Sequence, residues 1–181
     1  MDERLLSTLS DLIEQDPQRM QILTAVASLK LPDCYVAAGF VRNRVWDHLH
    51  SHSHTPLSDV DVIYFDQQQN FDPNHIQSQL SALLPSVNWQ VKNQAVMHMR
   101  NGDRPYTSSE DAMMHWPEIE TAIGVRLTLD GDIEVCAPFG LGSLFSGYIS
   151  HNPKRAIEVF EGRLASKQWL DTWPQLKVVC G

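Results

Sequence analysis

The segment LSDVDVIYFD, residues 57–66, sets two aspartates one residue apart, Asp59 and Asp61, in a run of strand-forming side chains. Val60, Val62, Ile63, Tyr64 and Phe65 favour a pleated, half-buried backbone. Strand alternation turns Asp59 and Asp61 to the same face, about 7 Å apart along the chain. Like charges so placed repel, and each is better solvated or paired. Such a face is either open to water or built around a positive charge. Spacing alone does not choose, because 22 acidic residues in 181 give acid-x-acid pairs by chance.

Working outward, CYVAAGF (34–40) predicts a short buried strand ending at Gly39, and VRNRVWDHLH (41–50) continues with helical spacing of Val41, Val45, Trp46 and Leu49. A helix is expected from Pro73 and a strand over 87–96, and Ser108 or Ser109 is placed to cap a helix reaching Met114. VRLTLDGDIEVCAP (125–138) alternates on both sides of Asp130-Gly131, which predicts a hairpin. Apolar spacing at the N-terminus predicts two helices within about residues 1–30, and residues 153–170 predict a long closing helix. Helices interleaved with strands, plus a hairpin, call for a mixed sheet flanked by helices, an α/β (mixed α+β) fold. No linker or repeat interrupts the pattern, so residues 1–181 are expected to form one domain.

Context favours a charged centre over a solvated face. The hairpin strand offers Asp132 and Glu134 in the same alternation, and the strand–Gly39–helix element would present backbone N–H groups to a phosphate. Three convergent carboxylates, Asp59 and Asp61 with one from the hairpin strand, would form a hard oxygen site for Mg²⁺ (or Mn²⁺), which binds a few carboxylates plus substrate phosphates. The formal charge of −8 argues against wrapping DNA or RNA, whose affinity comes from Lys and Arg. No basic-then-apolar leader and no long apolar run is evident, and Cys34, Cys136 and Cys180 have no metal spacing. A cytoplasmic protein without membrane contact is expected.

AAGFVRNRVWDHLH, LSDVDVIYFD, VKNQAVMH, IEVCAPFGL and GRLASKQWLDTWPQL together resemble the nucleotidyltransferase-like bacterial protein family, of the polymerase-beta-type nucleotidyltransferase superfamily. The resemblance runs from about Tyr35 through nearly the whole chain. It implies that Asp59 and Asp61 are paired metal ligands, that Glu134 is the third carboxylate, and that Gly39 opens the helix facing nucleotide phosphates. It also implies transfer of a nucleoside monophosphate from a nucleoside triphosphate. The acceptor is open: a small molecule, an RNA end or a protein side chain, with the acidic balance favouring the first and third. One departure concerns Phe40, where the superfamily usually has Gly or Ser; a side chain of that size would either block the phosphate path or leave a backbone amide to do the binding.

Further candidates carry two readings each. Arg42 and Asn43, in the first turn after Gly39, would hold a phosphate or an acceptor, or simply solvate the helix. Lys92 would meet a phosphate or pair with an acid. Arg163 and Lys167, at i and i+4, would close over a triphosphate or form a salt-bridged face. Trp116, Trp169 and Trp173 suit either base stacking or core packing. The run His48, His50, His52 and His54 reads as a polar loop after a helix end, with an i, i+4 chelating pair as the alternative. Besides an enzyme, two other functions fit the sequence: a degenerate nucleotide-binding module, and a non-catalytic interaction protein.

Overall fold

The computed structural model describes residues 2–180. Two helices come first, α1 (Glu3–Glu14) and α2 (Pro17–Ser28), each opened by an aspartate, Asp2 and Asp16, that accepts a first-turn N–H. Leu9, Leu12 and Ile13 of α1 and Ile22, Leu23 and Val26 of α2 are buried. Next come β1 (Tyr35–Ala37), α3 (Gly39–Leu49), β2 (Val60–Tyr64), α4 (Pro73–Leu83), β3 (Trp89–Asn93), α5 (Gln94–Asn101) and α6 (Ser109–Met113). After a 3-10 turn at Ile119–Thr121 follow β4 (Gly124–Leu127), β5 (Ile133–Cys136), α7 (Gly142–Phe145) and β6 (Tyr148–Ser150). The chain closes through α8 (Ile157–Lys167), α9 (Trp169–Thr172) and β7 (Lys177–Val179).

Five strands form one sheet in the order β3-β2-β1-β4-β5, while β6 and β7 make a separate parallel pair. Only β2 and β3 run parallel in the large sheet, so the expected mixed sheet with helices is observed. Register fixes its two faces. Val36, Val60, Val62, Tyr64 and Val125 turn into the main core with α1, α2 and Phe40 of α3. Tyr35, Ala37 and Ile63 point the other way, into a smaller cluster with Met113 and Ala122. Asp61 is paired with Ala37 and so shares that second face.

Three local features differ from or refine the sequence expectation. The strand expected over 87–96 ends at Asn93, whose side-chain oxygen accepts from the Ala95 N–H at 3.1 Å and starts α5 instead. The closing helix is shorter than expected because Gln168 takes a left-handed conformation, φ 50°, and splits it into α8 and α9. At the hairpin tip Gly131 has φ 89°, a conformation that favours glycine. Among the described residues no helix is long and apolar enough to cross a membrane.

Candidate functional site

The junction of β1 and α3 is the starting point. Ala38 joins them with φ 57° and ψ −124°, which is the first central position of a type II′ turn and normally a glycine's place. Its N–H donates to the Ile123 carbonyl at 3.0 Å and its carbonyl accepts from Arg42 N at 2.9 Å, so the surrounding chain holds the strained residue in place. No side chain caps α3. Its first-turn amides therefore face a cleft lined by Ala38, Gly39, Arg42 and Asn43.

Phe40 does not stand in that cleft. Its ring is wholly buried in the main core, and Arg19 both stacks 5.5 Å from the ring centroid and donates to the Phe40 carbonyl at 2.8 Å. The idea that its bulk blocks the phosphate path is corrected: helical geometry turns residue 40 toward the core while residues 39, 42 and 43 face the opening.

Asp59 and Asp61 line the same cleft. Asp59 directly precedes β2 and accepts the Ser58 hydroxyl at 3.1 Å, whereas Asp61 lies within the strand. Lys92 reaches across from β3, its Nζ 3.5 Å from Asp61 Oδ1. Burial raises the Asp61 carboxyl above the ordinary range, Lys92 opposes the rise, and Asp59 adds to it. Opposite Asp61 in β1 stands Ala37, and beyond it in β4 Gly124, where a Cβ would come 2.8 Å from the Tyr35 Cβ. On the β1 and β4 side of Asp61 the paired positions thus carry only small residues.

Glu134 is not brought to this centre, which corrects the three-carboxylate cluster. It shares the sheet face but sits on the edge strand β5, three strands from β2. At about 4.8 Å per strand that is about 14 Å of lateral separation. It is also bound elsewhere, accepting from Arg126 Nη2 at 2.6 Å. Alternation placed its side chain on the right face, but strand order, which the sequence leaves open, put it out of reach. Among the described residues no group of three His, Cys, Asp or Glu side chains is arranged to hold a metal ion. Two carboxylates on one face, with a cation already drawn to one of them, still suit a hard divalent ion completed by substrate phosphates.

Arg42 is the least ordinary residue of the site. Only 6% exposed, its guanidinium lies 4.7 Å from the Trp46 ring centroid and 4.5 Å from that of Trp169. Its hydrogen-bond partners are neutral: the Thr121 hydroxyl at 2.6 Å and the Asn43 side-chain oxygen at 3.0 and 3.2 Å. Burial pulls its pKa down to about 10, with Glu118, Asp61 and Asp59 acting in the opposite direction, so it remains a cation at neutral pH. Arg163 of α8 is paired with the buried Glu118. Lys167, one turn further on, lines the same cleft and makes no ion pair among the described residues.

Two halves make up the cleft. The narrower, about 330 Å³, holds Gly39, Arg42, Asn43, Asp59 and Lys167; the wider, about 460 Å³, extends toward α5 and α6. Ala38, Asp61, Lys92, Thr121 and Arg163 line both. Sequence reasoning missed Thr121 and Glu118, whose positions depend on the 3-10 turn that bears Thr121 and that no apolar period announces. Trp169 and Trp173 pack edge-on against Trp46, with centroids 5.8 and 5.2 Å away, while Trp116 alone lines the wider half. In the histidine run, His52 Nδ1 lies 3.9 Å from the Asp47 carboxylate, and His50, outside the expected His48–His52 pair, sets its Nδ1 against the Trp46 carbonyl at 2.8 Å while its Nε2 accepts from Gln175 N at 3.0 Å.

Comparison with known proteins agrees with this fold. A family model described as Nucleotidyltransferase matches residues 24–178. A solved structure described as a CCA-adding enzyme head domain is 32% identical, with a TM-score of 0.85 over 96% of this chain and 95% of that one. A CCA-adding enzyme solved with CTP is 12% identical, TM-score 0.62, over 94% of this chain and 43% of its own. A tRNA-processing enzyme complex is 13% identical, TM-score 0.51, over 88% of this chain and 43% of its own. The chain thus spans less than half of these last two proteins, and their likeness is one of fold. No curated protein sequence matches significantly.

Proposed function

Because the chain belongs to the nucleotidyltransferase family, we propose that it transfers a nucleoside monophosphate from a nucleoside triphosphate to an acceptor hydroxyl. The observation that carries this is Arg42, a buried guanidinium held by neutral partners between two indoles and facing a cleft. A buried cation without a carboxylate partner is costly unless an anion completes it. The open N-terminus of α3 and the side chain of Lys167 border the same space, which suits the β- and γ-phosphates.

Asp59 and Asp61 would hold Mg²⁺ or Mn²⁺, which when bound neutralises phosphate charge and polarises the α-phosphoryl group. The protein's own contribution is positional. Gly39 lets the triphosphate approach the helix end, Arg42 and Lys167 fix its outer phosphates, and Asp61 marks the position of the α-phosphorus. Lys92, now beside Asp61, would turn to a phosphate once another cation takes that carboxylate. The solved CTP complex of a structural relative is a reason to include CTP among the triphosphates tried.

A module that binds nucleotide without transferring it is favoured by one observation, the distance of Glu134 from the aspartates. Incubation with each α-labelled triphosphate, Mg²⁺ or Mn²⁺ and cell extract separates the two. Label passed to any product supports transfer; retention of bound triphosphate with no labelled product after long incubation supports the module. Absence of triphosphate binding under all conditions overturns both.

A further inference from the structure

The residues that line only the wider half of the cleft have no part in the site so far. We propose that this half is the acceptor subsite and that the acceptor is a small phosphorylated alcohol. This deepens, and rests on, the transfer function proposed above.

Direction comes first. Gly39, Arg42, Asn43 and Lys167 line only the narrower half, whereas Asp61 lines both. A triphosphate with its outer phosphates at the α3 N-terminus has its α-phosphorus beside Asp61. In-line displacement requires the attacking oxygen to lie opposite the leaving one. The acceptor hydroxyl therefore enters from the wider half. Its oxygen forms the new bond to the α-phosphorus, the bond from that phosphorus to the bridging oxygen breaks, and that oxygen leaves with the electron pair as pyrophosphate. The hydroxyl proton passes to water.

Charge gives the acceptor's chemistry. Six of the 14 Lys and Arg residues line the cleft, Arg42, Lys92, Arg100, Arg155, Arg163 and Lys167, against two of the 22 Asp and Glu. In the wider half Arg155 is already engaged by Asp103, Tyr106 and the His115 carbonyl, and Arg163 by Glu118. Arg100 is the lining cation there with no ion pair among the described residues, and Gln94 and Asn101 of the same helix, α5, also line this half. A phosphate on the acceptor would pair with the exposed Arg100, which lines the wider half together with Asp61.

Size and surface charge limit the acceptor's length. A volume of about 460 Å³ is that of a small-molecule site. Outside the cleft eight cations remain against twenty acids. A long polyanion leaving the cleft would meet like charge.

Tryptophan indole N–H resonances report the two halves separately: Trp116 lines the wider half and Trp169 the narrower. The protein is titrated with glycerol 3-phosphate, ribose 5-phosphate, their unphosphorylated parents and a short oligoribonucleotide with a free 3′-hydroxyl. Triphosphates with Mg²⁺ are titrated separately. Phosphorylated alcohols should shift Trp116 and the parents should not. Arg100→Ala should weaken that binding by about tenfold or more while the Trp169 response to triphosphate is retained. Equal response to phosphate and parent, or none to either, overturns the proposal. So does tighter binding of the oligoribonucleotide than of the small phosphates, or a Trp116 response confined to the triphosphate. Silence of Trp169 to every triphosphate would instead count against the nucleotide function itself.

Discussion

Ala38 and Arg42 show how two residues shape the end of the cleft proposed for the phosphates. A non-glycine side chain at φ 57°, ψ −124° stores roughly 1–3 kcal/mol of strain. Glycine removes that strain but adds unfolded-state entropy, roughly 0.4–1 kcal/mol. Ala38→Gly should therefore stabilise the protein by about 1 kcal/mol, measured by urea unfolding; a destabilised variant would show that the Ala38 methyl matters more than its backbone. Arg42 is a different case, because its planar fork reaches Thr121 and Asn43 while stacking on two rings. Lysine has neither the fork nor the plane. Arg42→Lys should lose most of the thermal stabilisation given by triphosphate with Mg²⁺, and scans with and without ligand measure it. Neither residue's role was fully legible in the sequence. That Arg42 is held by neutral groups and no carboxylate depends on Trp169, 127 positions away in the chain, and on Thr121 in the irregular turn.

At the scale of elements, α3 links the core to the cleft. Its inner face carries Phe40, Val41 and Val45, its outer face Gly39, Arg42 and Asn43. Asp47 near its end accepts from the Thr55 N–H at 2.8 Å and from Trp173 Nε1 at 2.9 Å, tying the loop before Asp59 to the C-terminal region. The helix itself was readable from apolar spacing, but which side of it Phe40 took was not, since a glycine-led helix start gives no phase until packing supplies one. Phe40→Ser should cost about 3 kcal/mol or more, the scale for deleting a buried aromatic, and should bring no gain in nucleotide affinity. A higher affinity with an unchanged melting temperature would restore Phe40 to the site. Glu134 belongs to the same scale: alternation along β5 is local and legible, whereas the position of β5 at the sheet edge is not.

For the molecule as a whole, the crowding of Asp59 and Asp61 bears on global stability. A net charge of −8 already disfavours gathering acids, and Asp61 stands on a partly buried face with Asp59 nearby. Its native carboxyl keeps a proton to higher pH than in the unfolded chain, where its value is near 3.8. Over that window the native state binds more protons, so the metal-free protein loses stability as pH rises through the raised value. Above the raised value the penalty is present in full. Asp61→Asn removes it, and the variant should melt at the same temperature as the wild type or higher when both are kept in chelator. Ligand should reverse the order. Mg²⁺ with triphosphate at a hundredfold excess over its dissociation constant stabilises a binding protein by about 2.7 kcal/mol, and the variant should lose most of that. If Asp61 served only the fold, the substitution would instead remove its contact with Lys92, lower the metal-free melting temperature and leave both proteins indifferent to ligand. Thermal scans of the two proteins across pH, in chelator and then with Mg²⁺ and each triphosphate, decide between these outcomes, and equal ligand-induced shifts would remove Asp61 from the metal site.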